Sequence, residues 1–137
     1  MKAYLTRRYC FPASHRLYSE ALSAAENLAT YGKCSHPHGH GHNYALEVTV
    51  SGQVDATTGI VCNLADLDRL VQNEVLDVFD HSNLNTLTVF QAKVPTSENL
   101  CRQIYDTLRR KFTPAQVARV RLEETRKNSF ECGEIQH

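Results

Sequence analysis

Two stretches in the first half of the chain alternate apolar and polar residues, and each carries histidine on its apolar phase. From Lys2 to Ser14 the odd positions are Ala3, Leu5, Arg7, Tyr9, Phe11 and Ala13, mostly apolar, and His15 continues the series. From Asn43 to Val54 the even positions Tyr44, Leu46, Val48 and Val50 are apolar, and His40 and His42 precede them in phase. A period of two marks a strand with one buried face. Both strands therefore aim imidazoles at the side where the core must lie.

The rest of the chain supplies what covers that side. Asp55 to Gly59 reads as a turn. Between Asn63 and Phe79 the period becomes helical, with Leu64, Leu67, Val71, Val75 and Val78 in one stripe. Asp80 to Val94 is a long connection. Pro95-Thr96-Ser97-Glu98 then opens a second helix, with Thr96 or Ser97 as N-cap and Leu100, Ile104, Leu108 and Phe112 as its buried stripe. Pro114 stops it. Val117 to Thr125 alternates again, with Ala118, Val120 and Leu122 on one face, and Ser129 to Ile135 is a last short strand. Residues 17 to 35 lack a strong period and have room for a short helix around Ser19 to Leu28. The order ββααββ predicts one α+β domain over residues 1–137, an antiparallel four-stranded sheet with two helices on one face. Its two edges and its uncovered face are places for self-association.

Composition narrows the function classes. Fifteen Lys plus Arg balance fifteen Asp plus Glu. That balance gives no support for a nucleic-acid partner or a polybasic membrane surface. Mean hydropathy is −0.41, and with no long apolar run the chain is expected to have no membrane span. Its first residues lack the apolar block of a signal peptide. Five cysteines, an odd number with no C-x-x-C pair, read as reduced thiols in the cytoplasm, most of them small packing residues.

Four of the seven histidines fall between positions 36 and 42. His40 and His42, at i and i+2 just before a strand, point the same way and can share one ion. His15 is the best third ligand, since it ends the first strand on the same apolar phase. Three histidines with an open fourth position describe a catalytic zinc site. Spacing alone leaves a loosely metal-binding loop open as the alternative. His36 and His38, separated by Pro37, read as polar loop residues, with a fourth metal ligand or a phosphate contact as the alternative.

Five further positions carry acid–base or binding chemistry. Cys34, beside Lys33 in a polar loop, is expected to have a lowered thiol pKa, or to be an ordinary cysteine. Asp80 can fix the tautomer of His81 for general-base work, although a helix C-cap explains the same pair. Glu124 keeps the phase of Val120 and Leu122, so its strand carries a carboxylate to the apolar side, where it needs a partner. An aminopyrimidine edge offers two parallel N–H donors that one carboxylate accepts together; a strand-end Glu reaching solvent or an Arg is the alternative. Glu98 is either a ligand-binding acid or a first-turn helix acid.

In this order the segments are specific. Phe11-Pro-Ala-Ser-His15-Arg-Leu, Cys34-Ser-His-Pro-His-Gly-His40-Gly-His42-Asn-Tyr, Asn63-Leu-Ala-Asp66-Leu, Asp80-His81-Ser-Asn-Leu-Asn, Pro95-Thr-Ser-Glu98-Asn-Leu and Glu124-Thr-Arg-Lys-Asn-Ser-Phe-Glu-Cys-Gly-Glu134 run through nearly the whole chain. Together they resemble the 6-pyruvoyltetrahydropterin synthase family, which includes bacterial 6-carboxytetrahydropterin synthases. The resemblance implies the tunnelling fold, in which three subunits close a barrel and two trimers stack as a homohexamer with active sites between subunits. It implies zinc on His15, His40 and His42, catalysis by Cys34, Asp80 and His81, and a pterin anchored by Glu124 with Thr96 and Ser97 lining the pocket.

The implied substrate is 7,8-dihydroneopterin triphosphate, and no redox cofactor is required. The Cys-x5-His-Gly-His spacing resembles the enzymes that keep all side-chain carbons and form 6-pyruvoyltetrahydropterin. The alternative product is 6-carboxytetrahydropterin, a queuosine precursor, with release of acetaldehyde. His36 and His38 stand where the family has Asn-like residues. A non-enzymatic zinc-buffering protein is the rival class, and it would need neither Asp80 nor Glu124.

Overall fold

β1 (Lys2–His15) and β2 (His40–Gln53) pair antiparallel along their whole length, from Lys2 opposite Gln53 to His15 opposite His40, in a computed structural model that describes residues 1–134. Their shared phase turns Phe11, Ala13, Tyr44, Leu46, Val48 and Val50 into one buried face. β2 begins at His40, so the histidine pair lies within the strand rather than ahead of it. The loop between the strands carries α1 (Ala24–Tyr31), which starts where Ser23 accepts from the Glu26 amide and Glu26 accepts from the Ser23 amide. That cap sets the helix a few residues later than the sequence period suggests.

α2 (Leu64–Val71) is capped by the Asn63 side chain, which accepts from the Ala65 amide at 2.9 Å. It continues through a π turn (Gln72–Leu76) into α3 (Asp77–Phe79). The wider turn advances the stripe, so Val71, Val75 and Phe79 face the sheet and Val78 is left exposed. The connection after Phe79 then reaches the free edge of β1. There β3 (Ser82–Asn83) pairs parallel with Ala13 and Ser14, a fifth strand that two residues are too few to announce by periodicity.

α4 (Ser97–Lys111) takes Thr96 as its N-cap, accepting from the Asn99 amide at 3.1 Å. It buries Leu100, Ile104 and Leu108 as predicted, and Phe112 at its end. β4 (Gln116–Glu123) and β5 (Ser129–Gly133) complete the sheet in the order β3-β1-β2-β4-β5. The predicted residue Ile135 of the last strand lies outside the described residues. A β-bulge sits where Thr49 pairs with Arg119 but Val50 pairs with Val117. Ala118 is therefore the extra residue, turned to the opposite face, and Val117 takes its expected place in the core. Past the bulge the predicted phase of Val120 and Leu122 holds.

The helices cover one face of the sheet. The other carries ion pairs such as Arg121–Glu47 at 2.8 Å and Arg8–Glu123 at 3.5 Å. All five cysteines are free; Cys101 is buried in the core and Cys62 and Cys132 pack half-buried against it, as expected of packing residues, whereas Cys10 is exposed. Among the described residues no helix is long and apolar enough to cross a membrane.

Candidate active site

The β1–β2 register assembles the histidines. His15 lies opposite His40, and Ala13 lies opposite His42, so all three imidazoles project from one end of the core face. Ring centroids are 5.6 Å apart for His15–His40, 5.0 Å for His15–His42 and 4.7 Å for His40–His42. The chain enters β2 through Gly39 at φ +63°, where a Cβ would lie 2.5 Å from the His15 carbonyl oxygen. Only glycine fits there.

His15 is 1% exposed, and its Nδ1–H donates to the Pro95 carbonyl at 2.9 Å. A carbonyl can only accept, so the proton is fixed on Nδ1 and the Nε2 lone pair faces the site. The Nε2 atoms of His15 and His42 are both buried without a hydrogen-bond partner. Buried polar atoms almost always find partners, so two buried, unpartnered nitrogens in one place are suited to binding a cation. Burial, with the neighbouring histidines, lowers both pKa values and favours the neutral form that binds metal. His15 belongs to two sets whose ligand atoms lie within 4.8 Å of one another, one with Cys34 and His40, the other with His42 and Glu124. Imidazole-rich donors of this kind suit zinc.

Cys34 sits in the turn Gly32–Ser35, held where the Leu17 amide donates to its carbonyl at 2.7 Å. Its Sγ is 3.2 Å from His40 Nε2. The expected fall in its pKa is reversed. Burial raises it, and the charge that reaches the thiol is the negative one of Glu124, since Lys33 is exposed.

Glu124 arrives where its strand phase predicts, with Oε1 3.9 Å from His42 Nε2 and 13% of its side chain exposed. The Ser97 hydroxyl donates to Oε2, and the Asn128 amide donates to Oε1 at 3.3 Å. Thr96 is occupied as the helix cap. Glu98 is exposed and touches none of the cluster, because one residue past Ser97 turns the helix by about 100°. Asp80 and His81 do pair, Oδ1 to Nδ1 at 2.8 Å, yet they lie on the surface with 42% and 78% of their side chains exposed. His81 shares an open cleft of 320 Å³ with His42, but not with Cys34. His36 and His38 are exposed in the loop, as expected.

Sequence reasoning assigned no role to Asn128, which steadies Glu124 from within the closing motif. Nor did it identify Pro95, whose carbonyl fixes the His15 tautomer. A backbone acceptor 80 residues away leaves no mark in sequence.

Residues 4–134 match the family described as 6-pyruvoyl tetrahydropterin synthase. The chain belongs to that family. It is 44% identical over 128 residues to 6-pyruvoyl tetrahydrobiopterin synthase of Pongo abelii, covering 93% of this chain and 88% of the relative. The solved 6-pyruvoyl tetrahydropterin synthase of Caenorhabditis elegans superposes with a TM-score of 0.92 at 40% identity, covering 98% of this chain and 97% of that one. A putative 6-carboxy-5,6,7,8-tetrahydropterin synthase of Archaeoglobus fulgidus is 42% identical over 106 residues, 77% of this chain and 84% of the relative. The chain is thus a pterin-synthase-type lyase with the α+β tunnelling fold of its family.

Proposed function

We propose that this protein converts 7,8-dihydroneopterin triphosphate to 6-pyruvoyltetrahydropterin and inorganic triphosphate, with zinc held by His15, His40 and His42. The observation that carries the reading is the pair of orphaned, buried Nε2 atoms on His15 and His42, set beside Glu124. A zinc-buffering loop has no use for a carboxylate held on both oxygens at the edge of its histidines.

Glu124 is the anchor for the pterin. Each of its oxygens already accepts one donor from the chain. A carboxylate has about four acceptor sites, so two remain for the parallel N–H groups of the aminopyrimidine edge. Ser97 and Asn128 hold it in place. When bound, the ion supplies positive charge that acidifies C–H groups beside the substrate hydroxyls and favours the Cys34 thiolate. Cys34 takes a side-chain proton. His81, its tautomer fixed by Asp80, relays protons. Two electrons pass from the side chain into the N5=C6 bond of the ring, the C–O bond to triphosphate breaks, and no outside oxidant is consumed. Since Asp80 and His81 stand on the surface away from Cys34, we assign them to the site of a neighbouring subunit in a homohexamer. The free cysteines fit a reducing compartment, and the cytoplasm is the proposed location.

The Archaeoglobus relative favours a second reading, side-chain cleavage to 6-carboxytetrahydropterin on the same residues. Product identification by mass spectrometry after incubation with the triphosphate substrate separates the two. A pyruvoyl product without acetaldehyde is expected. A carboxy product with acetaldehyde would replace the first reading by the second, and unchanged substrate would refute both.

A further inference from the structure

The site residues lie in a fixed order along the β1–β2 ladder. Glu124 sits beside His42, which faces Ala13. His15 and His40 form the inward pair two residues further on. Just past the strand ends come Arg16 after β1 and, across the Gly39 turn, His38 ahead of β2. A substrate whose ring is held at Glu124 and whose hydroxyls lie at the histidines sends its third part towards Arg16 and His38. A cavity of 230 Å³ opens there, sharing His15 with the metal cluster and lined also by Ser14, Arg16, His38, Asn83 and Asn85. Its volume is several times the ~30 Å³ of one water. Among the described residues no carboxylate lines it.

Arg16 is held ready in that cavity. The Asn85 side chain brackets its backbone, accepting from the Arg16 amide at 2.7 Å and donating to its carbonyl at 2.8 Å. Its Nε donates to the Ser35 carbonyl at 3.0 Å, and its guanidinium carbon lies 4.2 Å from the Tyr18 ring centroid. Arg7, Arg8, Arg119 and Arg121 on the sheet each have a carboxylate partner. Among the described residues Arg16 has none, and its Nη1 and Nη2 groups have no acceptor. A planar fork of N–H donors, fixed at one edge and free at the other, suits phosphate oxygens.

We propose that Arg16, with His38 as a neighbouring donor, is the triphosphate subsite of this enzyme. The proposal rests on the substrate assigned above and names the cation that assignment lacks. It also ties the tail of the substrate to the turn of Cys34, because Arg16 and Leu17 both donate to that turn.

The test is a fluorescence titration of the zinc-loaded protein with neopterin triphosphate and with neopterin, which differ only in the tail. Arg16→Gln is expected to lose about tenfold or more of its affinity for the triphosphate, while neopterin affinity and zinc content stay as in the wild type. Arg16→Lys, which keeps the charge, should retain more of the preference than Arg16→Gln, and His38→Ala should lose about threefold. An unchanged preference in Arg16→Gln overturns the subsite. So does an equal loss for both ligands, or an Arg16→Lys no better than Arg16→Gln, since either marks a role confined to holding the turn. Wild-type protein that binds neither compound refutes the substrate assignment itself, and the subsite with it.

Discussion

His81 holds a backbone conformation that its side chain disfavours. At φ +54° it is the only non-glycine residue in the left-handed region among the described residues, a conformation that costs roughly 1–2 kcal/mol. Such strain persists where function needs a side chain at that point. His81→Gly is therefore expected to keep its denaturant stability within about 1 kcal/mol of the wild type, relief of strain offsetting the entropy of glycine. Turnover of the same variant should fall by about a hundredfold or more. Unfolding curves and steady-state rates measure the two effects, and full turnover would remove His81 from the chemistry. At this scale strand phase made His15, His40, His42 and Glu124 legible, since phase alone fixes which face a side chain takes. The pKa of Cys34 was not legible, because sequence shows the adjacent Lys33 but neither the burial of the thiol nor the distant Glu124.

Between residues and the whole sit the crossings where one element meets another. Gly39 passes against the backbone of His15, and an alanine there would meet its carbonyl at 2.5 Å while keeping φ at +63°. Gly39→Ala should cost about 1–3 kcal/mol of stability and lower zinc content together, since the strain falls on a ligand-bearing strand end. Unchanged melting and full zinc occupancy would show that the crossing is not what aligns His15 with His40. The predicted elements recur in the structure because amphipathic period and burial agree in each. What escaped notice changes the period locally or falls below its reach. The π turn shifted Val78 out and Phe79 in, the bulge exchanged Ala118 for Val117, and β3 is too short to alternate. Glu98 shared a motif with Ser97, but the helix turned it to solvent.

On the scale of the molecule, one face of the sheet is covered by helices and the other carries ion pairs and a cleft of 410 Å³. Asp80 and His81 lie exposed, away from the thiol they are proposed to serve. Both facts support assembly, and light scattering of the purified protein should give a mass of six 15.5 kDa chains; an active monomer would contradict sites shared between subunits. The most direct test of the account is metal dependence. The protein is stripped of metal with a chelator, assayed on the triphosphate substrate, and assayed again while zinc is returned in known amounts. Turnover should vanish with the metal and recover fully at about one zinc per chain. Full turnover by the metal-free protein would contradict the assignment of His15, His40 and His42 as the catalytic zinc site.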